Sequence, residues 1–147
     1  MNALELFETH RERLERARAA CRTREAWSPF ADQPSVYPDH ANARAAGEAA
    51  FKARLGRRYE VALPSPPNWV GEEISPYTQA PLGILYPRRD IDDLFAAAGK
   101  GIAGWSAVTP DARAGVLLEV VDRIYRLRLF ELTYAVMHTT GQSFNMS

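Results

Sequence analysis

The sequence has little of several residue types on which common protein sites depend. A single cysteine, Cys21, among 147 residues excludes an internal disulfide and a cysteine-built zinc site. The three histidines, His10, His40 and His138, are too dispersed for a metal site and show no His-x-x-x-His spacing. Eighteen basic and eighteen acidic side chains cancel. We therefore expect no nucleic-acid partner, because no net charge attracts a phosphate backbone.

Long apolar runs and a secretory leader are also missing. No apolar run approaches the roughly 18 residues that a membrane-spanning helix needs. The first ten residues carry the acids Glu5 and Glu8, which is unlike a signal peptide. We therefore expect a cytoplasmic protein with no membrane partner. Its apolar fraction of 46% is typical of a globular chain.

Helical periodicity is what the sequence does contain. Apolar positions spaced by three and four predict one amphipathic helix over residues 3–26, with His10 and Cys21 on its buried face. A second helix is expected over residues 41–55, with Gly56 as its C-cap. Both helices precede a proline-rich stretch, so we expect them to be joined to the rest by loops.

Stronger helix boundaries occur in the second half of the chain. Asp90 is a good N-cap, and Thr109 followed by Pro110 is a stronger one. The second of these helices is expected to break near Arg128. Gly141 is expected to end the helix that follows the break. The apolar stripes that should be buried in these helices are Ile91/Leu94/Phe95 and Leu117/Val121/Ile124.

Strand signals are weaker. Residues 58–63 alternate weakly and predict a short strand, which the prolines of residues 64–68 should end. Residues 73–75 and 82–86 predict a hairpin around a turn. The expected fold class is therefore mainly α with a small β-hairpin (α+β).

One glycine run matches the dinucleotide-binding fingerprint G-x-G-x-x-G. It is the run of residues 99–104, with Glu119 near the position of the ribose-binding acid. The fingerprint requires a strand before the glycines and a helix that begins on them. Here the preceding residues have helical period, so a glycine-loosened helix end is the favoured interpretation. A nucleotide site remains the alternative.

Other reactive side chains have structural interpretations. Cys21 is the one thiol, but His10 lies about 16 Å away along the same helix, which excludes a dyad between them. A buried core cysteine is therefore expected. Asp90, Asp92 and Asp93 are typical of a helix start, and His138 of a helix end. We assign no catalytic, cofactor-binding or metal-binding residue.

Four motifs in register resemble the aldehyde dehydrogenase superfamily. Ser75-Pro76-Tyr77-Thr78 with Leu82-Gly83 resembles its first hairpin, and Asp92 to Trp105-Ser106 its first helix. Residues 110–118 are similar to its second helix, and Thr139-Thr140-Gly141-Gln142 stands where the superfamily has Glu-Thr-Gly-Lys. This resemblance covers about residues 73–147.

A narrower resemblance is to the phenylacetic acid degradation branch. Residues 112–116 and 135–142 are similar to that branch, and its long N-terminal extension resembles residues 1–72, including Trp27-Ser28-Pro29-Phe30. The resemblance divides the chain into a helical extension with proline-rich loops (1–72) and the start of a dehydrogenase-like domain (73–147).

The resemblance implies an oxidoreductase that uses NAD or NADP. In that family a cysteine attacks the aldehyde, hydride passes to the cofactor, and a glutamate activates water. These groups lie further along than position 147, so none maps onto a residue here. The chain is then an N-terminal helical segment of an aldehyde dehydrogenase-like α/β fold, incomplete as a domain and inactive and without cofactor in isolation.

The same resemblance implies partners. We expect the apolar stripes to pack against the remainder of the dehydrogenase or a homologous subunit, and the full-length enzyme to be a homo-oligomer. The alternative is a freestanding, non-catalytic helical module that docks on a related dehydrogenase.

Overall fold

The computed structural model describes residues 2–30, 34–61 and 68–147. Within these ranges the elements are α1 (Ala3–Thr23), a 3₁₀ turn (Pro34–Val36), α2 (His40–Lys52), β1 (Asn68–Val70), β2 (Tyr86–Arg88), α3 (Ile91–Ala107), α4 (Pro110–Leu127), α5 (Leu129–Thr140) and a second 3₁₀ turn (Phe144–Met146). The two strands form an antiparallel sheet with Trp69 opposite Pro87. This architecture confirms the predicted class, mainly helical with a small β component.

The helix caps predicted for the second half of the chain are present in the structure. The backbone N–H of Asp92 donates to Asp90 Oδ1 over 2.8 Å, and that of Ala112 donates to Thr109 Oγ1 over 3.3 Å. Gly141 closes α5 with φ +78°, a left-handed conformation that glycine adopts without steric cost. Arg128 separates α4 from α5, as predicted.

Two helix ends differ from the prediction. α1 ends at Thr23 and not near residue 26, because Arg24 adopts the left-handed conformation, with φ 58°. α2 ends at Lys52, so Gly56 is not its C-cap. Gly56 (φ +69°) instead donates its backbone N–H to the carbonyl of Leu82 over 2.9 Å. That hydrogen bond ties the loop after α2 to the hairpin.

The hairpin is present, but its regular strands lie at its open end. Near the turn only Ile74 and Pro81 form a bridge, and the ladder of β1 and β2 starts further out. Prolines supply no backbone donor, so Pro76 and Pro81 weaken the ladder next to the turn. The regular strands therefore lie at Asn68–Val70 and Tyr86–Arg88 and not at the predicted residues 73–75 and 82–86.

The predicted strand over residues 58–63 is reduced to one bridge. Arg58 pairs with Leu85 in parallel, and Tyr59 donates its N–H to the Leu85 carbonyl over 2.7 Å. Residues 62 and 63, and the proline-rich break up to residue 67, lie outside the described residues.

The contacts divide the chain into two units. The first combines Met1–Tyr37 with Gly99–Leu127, and in it α1 packs on α4. Gly115 lies against α1 so closely that a Cβ there would stand 2.5 Å from the Cα of Phe7. Phe30 and Tyr37 pack on Tyr125, with ring centroids 4.7 and 5.2 Å away.

The second unit combines Pro38–Ala98 with Arg128–Ser147, and in it α2 packs on α5. Gly47 permits this contact, since a Cβ there would lie 2.7 Å from the carbonyl carbon of Phe130. Phe51 is buried and stacks on His138 with centroids 4.8 Å apart. Phe144, in the second 3₁₀ turn, stacks on Phe130.

Cys21 is exposed, which corrects the prediction of a buried core cysteine. The buried residues of α1 are Phe7, His10 and Ala20. Neighbouring helical residues point about 100° apart. With Ala20 taking the buried position at the end of α1, Cys21 is left facing solvent.

α3 is one continuous helix in which no residue is buried. It passes through Gly99, Gly101 and Gly104 and ends at Ala107, so the glycines do not mark its end. The stripes that we expect to pack on a partner outside this chain are exposed: Ile91, Leu94 and Phe95 in α3, and Leu117, Val121 and Ile124 in α4.

Candidate functional site

The glycine run lies in the interior of α3 and not at a helix N-terminus. A phosphate-binding glycine motif works because backbone N–H groups at a helix start point at the anion. Residues 99–104 instead follow at least two helical turns that begin at Ile91. A Cβ at any of the three glycines would meet no atom within 4 Å. The run is therefore helical, as expected, but it does not form the helix end that we predicted, and it lacks the geometry of a nucleotide fingerprint.

Glu119, the candidate ribose-binding acid, is engaged elsewhere. His10 Nε2 lies 2.8 Å from Glu119 Oε2, and Arg123 Nε donates to Glu119 Oε1 over 2.6 Å. Both His10 and Glu119 are buried between α1 and α4. Arg13 donates to His10 Nδ1 over 3.3 Å, so the imidazole carries its proton on Nε2 and donates it to Glu119.

A second acid of α4 repeats this arrangement one turn further on. Asp122 accepts from Arg13 of α1 over 3.1 Å and from Arg126 of its own helix over 2.6 Å. Each buried carboxylate is thus bound by one residue of α1 and by an arginine four positions along α4. Both buried carboxylates therefore have hydrogen-bonded partners, and these compensate for the loss of hydration on burial.

These contacts shift the acidity of both carboxyls. The hydrogen bond from Arg123, followed by that from His10, lowers the pKa of Glu119 below its ordinary value. Desolvation raises the pKa of Asp122, but the hydrogen bonds from Arg126 and Arg13 outweigh it, so the pKa is lowered overall. Both groups are therefore ionised structural anions, not proton donors for catalysis at neutral pH.

An open groove of about 380 Å³ borders this network. Its polar lining includes His10, Arg13 and Arg16. Arg13 is committed to Asp122, and Arg16 donates to Glu25 over 2.6 Å. The cations that could hold an anionic ligand are thus already neutralised.

Ser75 and His138 form a pair that sequence inspection missed. Ser75 Oγ lies 2.8 Å from His138 Nδ1, a separation typical of a nucleophile and its base. Ser75 is 0% exposed, however, and its hydroxyl also accepts from the backbone N–H groups of Tyr77 and Thr78. A substrate cannot reach it, so the pair joins the hairpin turn to α5. His138 lies in the last turn of α5, as the sequence predicted, and it is also anchored by Ser75 and Phe51.

The remaining candidates do not converge on a site. Cys21 is exposed on α1, and His40 lies edge-on against the ring of Phe130. Asp90 caps α3, with Asp92 and Asp93 in the first turn of that helix. Among the described residues no group of three His, Cys, Asp or Glu side chains could hold a metal ion.

The distribution of side chains around α4 is unusual. Its buried residues are small or acidic: Ala112, Gly115, Glu119 and Asp122. Its aliphatic residues Leu117, Val120, Val121 and Ile124 are 41–60% exposed. At 3.6 residues per turn, the two sets lie about 180° apart around the helix. The helix therefore buries its polar face against α1 and exposes its aliphatic face.

A solved structure with a similar sequence and fold is an NAD-dependent aldehyde dehydrogenase from Burkholderia multivorans. The two are 45% identical, with a TM-score of 0.85, over 96% of this chain and 25% of that one. No family model and no curated protein matches the chain. The motifs that resemble the superfamily lie in residues 73–147. The similarity to the Burkholderia enzyme covers 96% of the chain and therefore includes most of residues 1–72 as well.

This finding supports the aldehyde dehydrogenase superfamily, as the hairpin, helix and Thr139-Thr140-Gly141 motifs indicated. It does not distinguish the phenylacetic acid branch from others. The chain spans a quarter of the length of the Burkholderia enzyme. In the part of the chain that the structure describes, no helix combines the length and apolar character required to cross a bilayer.

Proposed function

We propose that this chain is the N-terminal helical part of an NAD(P)-dependent aldehyde dehydrogenase-like oxidoreductase and is inactive in isolation. The observation that carries the proposal is the 45% identity to a quarter of an NAD-dependent aldehyde dehydrogenase. The interior position of the glycine run and the engagement of Glu119 also support it, because they leave the fingerprint without a phosphate-binding geometry.

The substrate class rests on the narrower resemblance. Residues 112–116 and 135–142 are similar to the phenylacetic acid branch, which favours aromatic catabolism in the cytoplasm. Disruption of the gene should then slow growth on phenylacetate but not on succinate. Equal growth of the disrupted and parent strains on phenylacetate would remove this part of the proposal.

The division into an extension (1–72) and the start of a dehydrogenase domain (73–147) is part of the same proposal. Each packing unit combines residues from both ranges. We propose that the extension completes the start of the domain, and that the remainder of the dehydrogenase chain or a homologous subunit supplies the cofactor site. The full-length enzyme is then a homo-oligomer.

A chimera tests the function. In it, this chain replaces the similar quarter of the Burkholderia enzyme. We expect the chimera to reduce NAD with an aldehyde, because the replaced quarter is similar in fold and sequence. The 147-residue chain alone should show no activity and no heat when titrated with NAD or NADP. A folded but inactive chimera would overturn the proposal, and heat from the isolated chain would favour the nucleotide-binding alternative.

The freestanding module is the rival to this function. Translation of the gene beyond Ser147 separates the two. An in-frame continuation with a glycine-flanked cysteine and a later glutamate supports the dehydrogenase, whereas a stop codon there supports a module that docks on one.

A further inference from the structure

Three arginines line a groove beside the loop that follows α2. The groove has a volume of about 620 Å³, and its lining residues are Ala50, Ala53, Arg54, Arg57, Arg58 and Glu60. A cavity of this size is typical of small-molecule sites. All of the lining residues belong to the second packing unit, so the groove is formed within one unit. Its ionisable side chains are three arginines and one glutamate, which give the lining a positive net charge.

The loop that carries these arginines is fixed to the hairpin on both sides of Arg57. Gly56 donates its backbone N–H to the carbonyl of Leu82 over 2.9 Å. The carbonyl of Arg57 accepts from the N–H of Leu85 over 2.9 Å, and the N–H of Tyr59 donates to the Leu85 carbonyl over 2.7 Å. The backbone that presents the arginines is therefore preorganised, and a ligand that binds there does not have to order it.

Two of the guanidinium groups are oriented by aromatic rings. The guanidinium carbon of Arg58 lies 5.0 Å from the ring centroid of Trp69. That of Arg54 lies 5.2 Å from the centroid of Tyr59, and Arg54 Nε donates to Glu131 Oε1 over 3.0 Å. Contact with a ring uses the face of a guanidinium, so the N–H groups at its edge stay available as donors. Arg58 and the two terminal nitrogens of Arg54 can therefore bind a ligand.

The third guanidinium has no partner within the chain. Arg57 is exposed, and no side-chain hydrogen bond or ion pair engages it among the described residues. This distinguishes the groove from the one beside α1, where the arginines are already paired with carboxylates. Glu60 is the one acid among the lining residues, and a single carboxylate leaves two positive charges in excess.

The donors and the charge of the groove fit a phosphate group. Guanidinium groups bind phosphate through paired N–H···O hydrogen bonds. A phosphate monoester carries about two negative charges at pH 7 and offers three acceptor oxygens, whereas a carboxylate carries one charge on two oxygens. We propose that Arg54, Arg57 and Arg58 form a binding site for the phosphate group of a small molecule. The site goes beyond the proposed function, in which none of these residues has a role.

A titration of the 147-residue chain with inorganic phosphate tests the site. Amide and side-chain N–H signals are followed by NMR at pH 7 and constant ionic strength, with chloride as the balancing anion. Because the arginines are exposed, we expect a Kd of about 1 mM, with shifts of the guanidinium signals of Arg57 and Arg58 and of the Trp69 indole N–H. Acetate, which carries a single charge, should bind more weakly.

Two variants in the groove should act in opposite directions. Arg57→Gln removes a side chain without internal partners, so the fold is retained and the phosphate affinity should fall about tenfold. Glu60→Gln removes the acid of the lining, and the affinity should rise about two- to threefold. A merely structural role of these residues would not raise the affinity in one variant and lower it in the other.

The matched control is Arg22→Gln. Arg22 is exposed in the last turn of α1, so this variant loses the same charge outside the groove. It should bind phosphate as the parent does. The inference is overturned if phosphate causes no saturable shift, if Arg57→Gln binds as the parent does, or if Arg22→Gln causes an equal loss.

The chimera with the Burkholderia enzyme distinguishes a ligand site from a contact inside a larger enzyme. Phosphate binding that remains in the active chimera and is weakened by Arg57→Gln supports the inference. Loss of phosphate binding in an active chimera would show that protein groups occupy the arginines, and would overturn it. An inactive chimera would overturn the proposed function, and the titration of the 147-residue chain would still decide the inference.

The groove and the glycine run are also separable by experiment. At millimolar affinity the groove gives no heat with micromolar NADP, although that nucleotide carries a phosphate group. Heat with NADP that persists in Arg57→Gln would come from another site.

Discussion

Gly115 determines how closely α4 approaches α1. A Cβ at this position would lie 2.5 Å from the Cα of Phe7, which is a backbone atom and cannot rotate away. We expect Gly115→Ala to lower the free energy of unfolding by about 1–3 kcal/mol, because the two helices must separate. Urea unfolding followed by circular dichroism measures the change. An unchanged free energy of unfolding would show that the backbones of α1 and α4 are further apart at Gly115 than in the structure.

Glu119 gives the stability a dependence on pH. Its pKa is lower in the folded state than its ordinary value, chiefly through the hydrogen bond from Arg123 and then through that from His10. A depressed carboxyl pKa stabilises the fold above the ordinary value of about 4.3, and this contribution is lost as the pH falls through the folded-state pKa. The parent and Glu119→Gln should therefore differ in stability at pH 7, and the difference should shrink as the pH falls below about 4.3.

The control for that titration is Glu12→Gln, since Glu12 is exposed on α1. It should follow the parent across the whole pH range. A constant difference between parent and Glu119→Gln from pH 7 to pH 3 would contradict the role of the carboxylate charge.

Residue-level pairing was the least predictable part of the molecule. His10 and Glu119 are 109 residues apart, and Ser75 and His138 are 63 apart, so no local pattern connects them. Cys21 was misplaced for a related reason. The period of α1 predicts a stripe, but which side of that stripe is covered at its end depends on the position of α4.

At the scale of elements, α3 combines an apolar composition with three glycines and no buried residue. Glycine in a helix interior costs roughly 0.5–1 kcal/mol relative to alanine. Since a Cβ at Gly99 or Gly101 meets nothing within 4 Å, Gly99→Ala and Gly101→Ala should each raise the helix content and thermal stability of the chain. Circular dichroism thermal scans measure both. A loss of stability in either variant would show that the glycines serve a close contact.

The starts of α3 and α4 and the end of α5 were predictable because their signals are local. Asp90, Thr109-Pro110 and Gly141 each act on the N–H or C=O groups of the adjacent turn, so their effect is contained in a few residues. The strands were not predictable to the residue. Their register depends on Pro76, Pro81 and the pairing of Arg58 with Leu85, which lie in three separate parts of the sequence.

For the whole molecule, exposed aliphatic stripes should govern behaviour in solution. Stripes such as Leu117/Val120/Val121/Ile124 usually find another surface. We expect the 147-residue chain to associate reversibly as its concentration rises, and to bind a hydrophobic dye. Sedimentation velocity over a hundredfold range of concentration tests this. A monomer throughout, with a sharp and reversible thermal transition, would contradict it.

The fold class and the similarity to an aldehyde dehydrogenase could be predicted from the sequence because four short motifs keep their order and spacing. The faces of α4 could not. The period predicted an aliphatic stripe, but the sequence carries no sign that α1 would take the opposite side, where Glu119 and Asp122 had to be neutralised.

The large sequence separation between α1 and its partner α4 has a consequence for biosynthesis. α1 packs on α4, and the contact of His10 with Glu119 closes across 109 residues. A ribosome adds residues at about 5–20 per second, so α1 waits roughly 5–20 s outside the exit tunnel before its partner exists. During that interval Phe7 lacks the helix α4, against which it packs at Gly115 in the folded protein. Nascent-chain chaperones therefore have an opportunity to bind α1 during this interval.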